Sequence, residues 1–547
     1  MLPKTAPTSA ITVFDLSQEL TARSHASYEA YEACLAIQGI VNRSSSNKIF
    51  FTHSPIEWSW NLSRSNIRNL PFDQYWIDDG LIPVPVSQPS LNNSNTYPVL
   101  TYLLQTYGAY LKGMVMTPDA NSAKNYDGAR AAAYTACGIL DAIPVSSAIS
   151  AYLSGQGFSL AQLADTRQLT NNLMAFGWAW TNYFKPETSR QLAAFFTPHG
   201  YGATYAAEFP AMADYWIANR VFVLCLDCSD PAQKSQALVF MNASNYPPGV
   251  PVFGVFYSEG TDVQTLENWG YPTDICGTPN FSVTSSFPSD VAKLTGPSVN
   301  LPALDTNGVY VGFYVTDGDS ISFTAQQHYY LWTRSPSRGK YPIGWSANVQ
   351  LLDLFPTLFQ SLSRNNYTNK YELIADTWHV GWANSNGFAP FINRYKYYHD
   401  NANGLFQTVN LTKWFSSSTT SQMQDITTEA GFSEWLDGYS GGRGNVVAWS
   451  TFGAGNLVHA GMSGPTQGGA SANSVAQAIR ANVNAGQTGT PVFVTVCAGD
   501  GTVTTDCVGY VDQAVSNVLA SPAPGRNYYW MRPSDVGAMW RKWKGVP

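Results

Sequence analysis

The chain has 547 residues, of which 44% are hydrophobic, 14% aromatic and 12% charged, with 30 Lys and Arg against 37 Asp and Glu for a net charge of −7. That apolar share can bury a core, which excludes global disorder, and the length allows two to four domains at roughly 150 residues each. Charge is about half the ~25% usual for soluble domains and no basic run occurs, against a binder of nucleic-acid backbones; no apolar stretch reaches the ~18 residues of a membrane span.

Met1-Leu2-Pro3-Lys4-Thr5 lacks the basic-then-apolar pattern of a signal peptide. Few Lys, abundant Ser, Thr, Asn and Tyr, and Asn-x-Ser/Thr sequons at Asn42, Asn61, Asn92, Asn242, Asn280, Asn366 and Asn410 lead to the expectation of a secreted or extracellular protein whose signal peptide is absent from this chain. Helical periodicity over residues 27–41 puts Tyr28, Tyr31 and Leu35 on one face, and a strand is expected at 49–52. A strand at 113–116, a helix over 129–140, a helix opened by Pro210 and reaching Ala218, and strands at 221–226 and 252–256 follow. Alternation of this kind predicts parallel α/β layers, in two or three subdomains over residues 1–283.

Residues 284–307, rich in Ser, Pro, Thr and Gly, read as a linker. The remainder, 308–547, is close to the ~250 residues of a (β/α)8 barrel. Strand patterns recur in it at 309–315, 371–375, 406–411, 446–450, 492–496 and 528–531, with helices at 474–485 and at 349–363, the latter kinked or restarted at Pro356. The expected fold is α/β, N-terminal layers followed by a (β/α)8-like, irregular barrel.

The cysteines are Cys34, Cys137, Cys225, Cys228, Cys276, Cys497 and Cys507. Cys225 and Cys228 have the gap of a metal knuckle but close an apolar run without a second pair, so a buried strand end is expected rather than zinc. Cys497 and Cys507 flank the turn-rich segment 498–501 and can close a short disulfide loop.

Several runs, in order, resemble the putative glycoside hydrolases named after a GxGYxYP motif. In the first half these are Ile37-Gln38-Gly39-Ile40-Val41-Asn42-Arg43, the turn Pro247-Pro248-Gly249 with its following strand, and Glu259-Gly260. In the second half, residues 309–320 end in Thr316-Asp317-Gly318-Asp319-Ser320, similar to that family's strand and Ser-Asp-Gly-Asp-Asn turn, and Pro342-Ile343-Gly344-Trp345-Ser346 resembles its next segment. The naming motif is not matched: Ala375-Asp376-Thr377-Trp378-His379-Val380-Gly381-Trp382 stands near its place. The resemblance implies a sugar-processing enzyme with a barrel-like C-terminal domain.

Glycoside hydrolysis uses two carboxyl groups, one as acid and one as nucleophile or base, and barrel sites form where strands end. Asp317 and Asp319 directly follow an apolar strand, Asp376 follows another and Asp500 a third. Glu259 follows a strand in the first half and is a further candidate. Trp345, Trp378 and Trp382 can stack on sugar rings, with His379 beside them as a polar contact. Asp317, Asp319 and His379 match no calcium-loop spacing, so neither metal nor other cofactor is expected. Gly438-Tyr439-Ser440-Gly441-Gly442 fits the serine-hydrolase elbow in letters but lacks the apolar strand before it, and the Gly-rich tract 453–469 has no phosphate-loop Lys. The expected partner is a carbohydrate substrate, with a non-catalytic glycan-binding protein as the alternative and a serine esterase third.

Overall fold

The structure, a computed structural model, describes residues 2–17, 19, 24–53, 72–199, 212–254, 256–275, 277–367, 369–376, 388–410, 427–432, 434–436, 446–451, 458–461, 471–485, 489–499 and 506–546. It divides into two compact units. The first comprises Met1–Leu266, Tyr271–Ser289 and the short segment Asp353–Thr357; the second comprises Glu267–Gly270, Asp290–Leu352 and Leu358–Pro547.

Among the described residues, three small parallel sheets build the first unit. Strands β1 (Ala10–Asp15), β2 (Asn47–Thr52) and β3 (Val86–Ser87) lie in the order β2-β1-β3. Next come β4 (Gly113–Met116), β5 (Ala142–Val145) and β6 (Gln162–Asp165) in the order β5-β4-β6. Finally β7 (Ala193–Phe195), β8 (Phe222–Leu224), β9 (Val252–Gly254) and β10 (Thr273–Ile275) lie in the order β10-β9-β7-β8. Helices connect successive strands, as parallel pairing requires, so the expected α/β layers are present.

The run Ile37–Arg43 has a structural role at the end of the helix His25–Ser44, which Ser24 caps by accepting from the Ser27 N–H. β2 is an edge strand, and its outward backbone groups need partners. The Asn42 amide accepts from Ile49 N at 2.8 Å and donates to Ile49 O at 2.9 Å, while Asn280 does the same for Phe51 at 2.8 and 2.9 Å. Gln38 donates to both Ile49 O and Asn280 Oδ1. Arg43 donates to the carbonyls of Gly138, Ile217 and Ala218 and pairs with Asp141, tying down the last turns of the helices Asp127–Leu140 and Ala213–Ala218. Gly39 is required because a Cβ there would lie 2.5 Å from Asp214 O. Two sequons are thereby corrected: Asn42 and Asn280 are fully buried with their amides occupied, so neither can carry a glycan in the folded protein.

The second unit holds β11 (Gly308–Val315), β12 (Ile343–Asn348), β13 (Tyr371–Asp376), β14 (Phe406–Asn410), β15 (Glu434–Leu436), β16 (Val446–Thr451), β17 (Val458–Gly461), β18 (Val492–Gly499) and β19 (Asn527–Met531). They form one sheet in the order β12-β13-β14-β15-β17-β16-β18-β11-β19, in which β12 also pairs with β11. A regular (β/α)8 barrel has eight parallel strands following one another in sequence order. Here β16 runs antiparallel to both its neighbours, β17 lies between β15 and β16, and β19 pairs alongside β11. The short excursion 446–461 cannot contain a helical crossover, which is why this pair reverses direction.

One face of the sheet packs on the helix Pro533–Lys544. Tyr310, Tyr314, Ile374, Leu436, Phe493, Cys497 and Met531 form a core cluster with Val536, Met539 and Trp540 of that helix. Gly312 and Gly344 belong to the same face, since a Cβ on either would lie 3.2 or 2.9 Å from Pro533. Cys497 is thus a core side chain, and Cys507 opens the helix Cys507–Ala520; both are buried thiols, so the disulfide that their spacing allows is not formed, because the strand turns the first sulfur into the core. Among the described residues no helix is long and apolar enough to cross a membrane.

Candidate functional site

The carboxyl ends of β11, β12 and β13 lie side by side, with Val315 opposite Trp345 and Asn348 opposite Asp376. The chain leaves β11 through Thr316, whose N–H donates to Gly499 O at 3.0 Å at the end of β18. Asp317 then adopts φ 61°, a left-handed conformation that costs a non-glycine residue about 1 kcal/mol and tends to cluster at functional sites. The cause lies in the next residue. Gly318 N donates to Ser346 Oγ at 2.8 Å, and a Cβ on Gly318 would fall 2.1 Å from Ser346 C, so the turn rests directly on the β12 backbone.

Asp319 follows, partly exposed, and its carbonyl accepts from the Asn348 side chain at 2.5 Å. Thr324 ties the two elements: its hydroxyl donates to Gly318 O at 3.3 Å and accepts from Asn348 N at 3.0 Å. Thr324 lies in a π-helical turn, Phe323–His328, a rare geometry that is frequent at functional sites. On β13, side chains of Glu372, Ile374 and Asp376 share one face by strand alternation. Ile374 belongs to the core against Pro533–Lys544, Glu372 accepts from Ser534, and Asp376, 4% exposed, stands beyond them at the strand's end. The helix therefore fills the middle of the face and leaves Asp376 beyond it.

Of the other sequence-derived candidates, Trp345 lies on the opposite face of β12. It is 1% exposed and its ring is 5.6 Å from Trp332 and 5.7 Å from Tyr371, so it is a core residue with no open face for a sugar. Asp500, Trp378, His379, Trp382 and the segments 438–442 and 453–457 fall outside the described residues. Glu259 begins the π-helical turn Glu259–Val263 in the first unit, and its side chain is likewise outside what is described. Asn348, Ser346 and Thr324 escaped sequence reasoning. They sit on or beside a strand whose sequence, Ile-Gly-Trp-Ser-Ala-Asn, lacks the β-branched run that marks β11.

Two further acids sit deeper in the same unit. Burial raises Glu372 to about 7 and Glu434 to about 8, against the opposing pull of Arg532 on the first and Arg541 on the second. Thr408 donates to Glu434 at 3.1 Å, and Arg532 holds Asp535 through both carboxylate oxygens. Glu372 and Glu434 lie at the starts of their strands, so this is a buried network at the opposite ends of β13 and β15 from Asp376 and Leu436.

Residues 307–434 match the family model of the GxGYxYP putative glycoside hydrolase C-terminal domain. Asp317, Asp319, Ser346, Asn348 and Asp376 all fall inside the matched segment; Asp500 lies beyond it. The crystal structure of a putative hydrolase from Bacteroides thetaiotaomicron VPI-5482 shares the fold, with a TM-score of 0.73 at 15% identity over 99% of this chain and 96% of that chain. No curated protein matches the chain by sequence.

Proposed function

We propose that the second unit is a glycoside hydrolase, acting on an oligo- or polysaccharide at the carboxyl ends of β11 and β13. The observation that carries this reading is the strained Asp317, pinned by Gly318 against β12, with the buried Asp376 at the end of β13, beyond the part of that face that Pro533–Lys544 covers. The reading takes the sheet as an irregular barrel. Its support is that β11 pairs with β18 on one side and with β12 on the other, so that hydrogen-bonded neighbours return to β11 through eight strands. In barrels, catalytic groups come from such strand ends.

In this mechanism one protonated carboxyl donates to the glycosidic oxygen as the bond breaks. A second, ionised carboxylate either attacks the anomeric carbon or takes a proton from the attacking water. Asp317, Asp319, Asp376 and Asp500 are the groups from which the pair is drawn, Asp317 first because it stands in the turn that Gly318 rests on β12. Asn348, bonded to Asp319 O, positions the turn and does not transfer protons.

The test is release of reducing ends from a glycan panel by the wild type, Asp317→Asn and Asp376→Asn. Asn tolerates the left-handed conformation, so Asp317→Asn keeps the turn while removing the acid. A loss of about 10²- to 10⁴-fold is expected for a residue in acid or base catalysis. Unchanged turnover in Asp317→Asn removes it from the site, and binding without released product assigns the protein to glycan recognition.

A further inference from the structure

A second constellation of chemically active side chains lies in the first unit. The sheet β10-β9-β7-β8 is parallel, and the chain passes from β7 to β8 on one side and then to β9 and β10 on the other. The strand order therefore reverses between β7 and β9. In open parallel sheets ligands bind outside the carboxyl ends of the strands at such a point. His199 follows β7, Cys225 follows β8 and Tyr257 follows β9, so the three loops leaving these strands bring their side chains together.

Asp127, at the start of the helix Asp127–Leu140, is the centre of the group and is 1% exposed. Its carboxylate accepts from His199 Nδ1 at 2.6 Å, from His199 N at 3.2 Å and from the Tyr257 hydroxyl at 2.8 Å. The Tyr257 oxygen in turn accepts from Asn172 Nδ2 at 3.3 Å and lies 3.3 Å from Cys225 Sγ. Burial pushes the Cys225 thiol up, so it stays protonated and serves as a donor. Asn172 reaches Gln233 at 3.1 Å. Lys124 lies 3.9 Å from the centroid of the Tyr257 ring and 3.5 Å from Asp227. The deep members are enclosed, whereas His199 (14%), Asp227 (20%) and Lys124 (54%) reach solvent.

We propose that this cluster is a ligand site for a neutral polyhydroxyl molecule, a sugar residue, contacted by His199, Lys124 and Asp227, with Asp127 as the positioning residue for the imidazole. The ligand class follows from the chemistry present. The charged neighbours of Cys225 are Lys124, Asp127 and Asp262 and those of Cys228 are Lys234, Asp227 and Asp262, so the formal balance is negative and an anionic ligand is disfavoured. Carboxylate, amide and ammonium groups side by side offer both acceptors and donors, and a hydroxyl answers to both. Small-molecule sites in α/β sheets use a few convergent polar groups and form at such switch points. The inference stands on the first unit alone and does not depend on the hydrolase reading of the second.

The test is a titration of the full chain, carbon-13 labelled at histidine, with a panel of neutral monosaccharides and, separately, with inorganic phosphate. The His199 ring signal is assigned by its loss in His199→Gln. The expected result is a saturable shift of that signal with at least one sugar, unchanged in Asp317→Asn and weakened several-fold in Lys124→Met, whose exposed site leaves folding intact. Asp127→Asn is expected to abolish it. No shift with any sugar, a shift with phosphate only, or a shift lost in Asp317→Asn but kept in Lys124→Met overturns the proposal.

Discussion

Replacing Gly318 by alanine is the sharpest test of how the turn after β11 is held. The added Cβ would lie 2.1 Å from Ser346 C, 2.3 Å from Ser346 O and 2.4 Å from Ala347 N, where ordinary contacts begin near 3.4 Å. All three obstacles are backbone atoms of β12, which cannot rotate away. Relief requires the turn to lift by more than about 1 Å, which breaks the 2.8 Å bond from Gly318 N to Ser346 Oγ and strains the pairing of Val315 with Trp345. Overpacking of about 1–3 kcal/mol plus a lost buried hydrogen bond of about 1 kcal/mol predicts a destabilisation of roughly 3 kcal/mol. Urea unfolding of the full chain, followed by tryptophan fluorescence and circular dichroism, reads this as a midpoint lowered by about 1 M or more, with separate transitions where the two units unfold independently. Gly177→Ala is the matched control. It lies inside the helix Asn172–Tyr183 with nothing within 4 Å of the new methyl, so a gain of about 0.5–1 kcal/mol is expected. If Gly318→Ala unfolds within about 0.5 kcal/mol of wild type, the turn is not pinned on β12 and the placement of Asp317 loses its basis.

Glu372 and Glu434, raised to about 7 and about 8 from 4.5, are protonated in the folded state where the unfolded chain has already ionised. Stability therefore falls as pH rises from about 4.5 towards those values, by up to about 1.4 kcal/mol per pH unit for each group, and Glu434→Gln should flatten the slope of urea stability between pH 5 and 8. Arg43→Lys should cost about 2–3 kcal/mol by thermal unfolding, since one ammonium cannot serve three carbonyls and Asp141 together. Asn280→Ala leaves the N–H and C=O of Phe51 buried without their side-chain partner and should cost about 2–3 kcal/mol, read by the same melt. Expressed through a glycosylating secretory route, the protein should carry sugar by peptide mass spectrometry at the exposed Asn92 and none at Asn42 or Asn280.

Strands were legible where burial on both faces demands β-branched and aromatic residues. β11 and β18 are of this type, and their predicted spans, like that of β13, agree with the observed ones to within a few residues. The restart at Pro356 was legible too: one helix ends at Leu354 and the next, Pro356–Arg364, starts on the proline. β12 was not, because the turn above it needs Ser346 for a hydrogen bond and bare backbone for Gly318 to rest on. β15 is three residues long with a buried Glu at its head, a polar signal that only the Thr408 and Arg541 environment explains.

For the candidate site, acids following apolar strands could be marked from sequence. That Asp317 is strained, and that Asn348 shares the strand ends, depends on register between segments far apart in the chain. The first-unit cluster was invisible for the same reason: Asp127, His199 and Tyr257 have no common motif, and the loops after β7 and β9 meet the start of the helix Asp127–Leu140 only in the fold. The Cys497–Cys507 pairing was left open in the sequence because spacing says nothing about which face of a strand a sulfur occupies.

β11 is flanked on one side by β18 and on the other partly by β19, and the helix after β19 supplies the core against which Tyr310 and Tyr314 pack. During synthesis the first strand of this unit must thus wait for nearly its last segment, roughly ten to forty seconds at 5–20 residues per second. Throughout that interval an eight-residue strand with every residue destined for burial has only β12 beside its last two residues, Tyr314 and Val315, and lacks both β18 and the covering helix. The growing chain is most exposed to aggregation there, and shielding of residues 308–315 by a chaperone until the Pro533–Lys544 helix emerges is what would set the yield of folded protein.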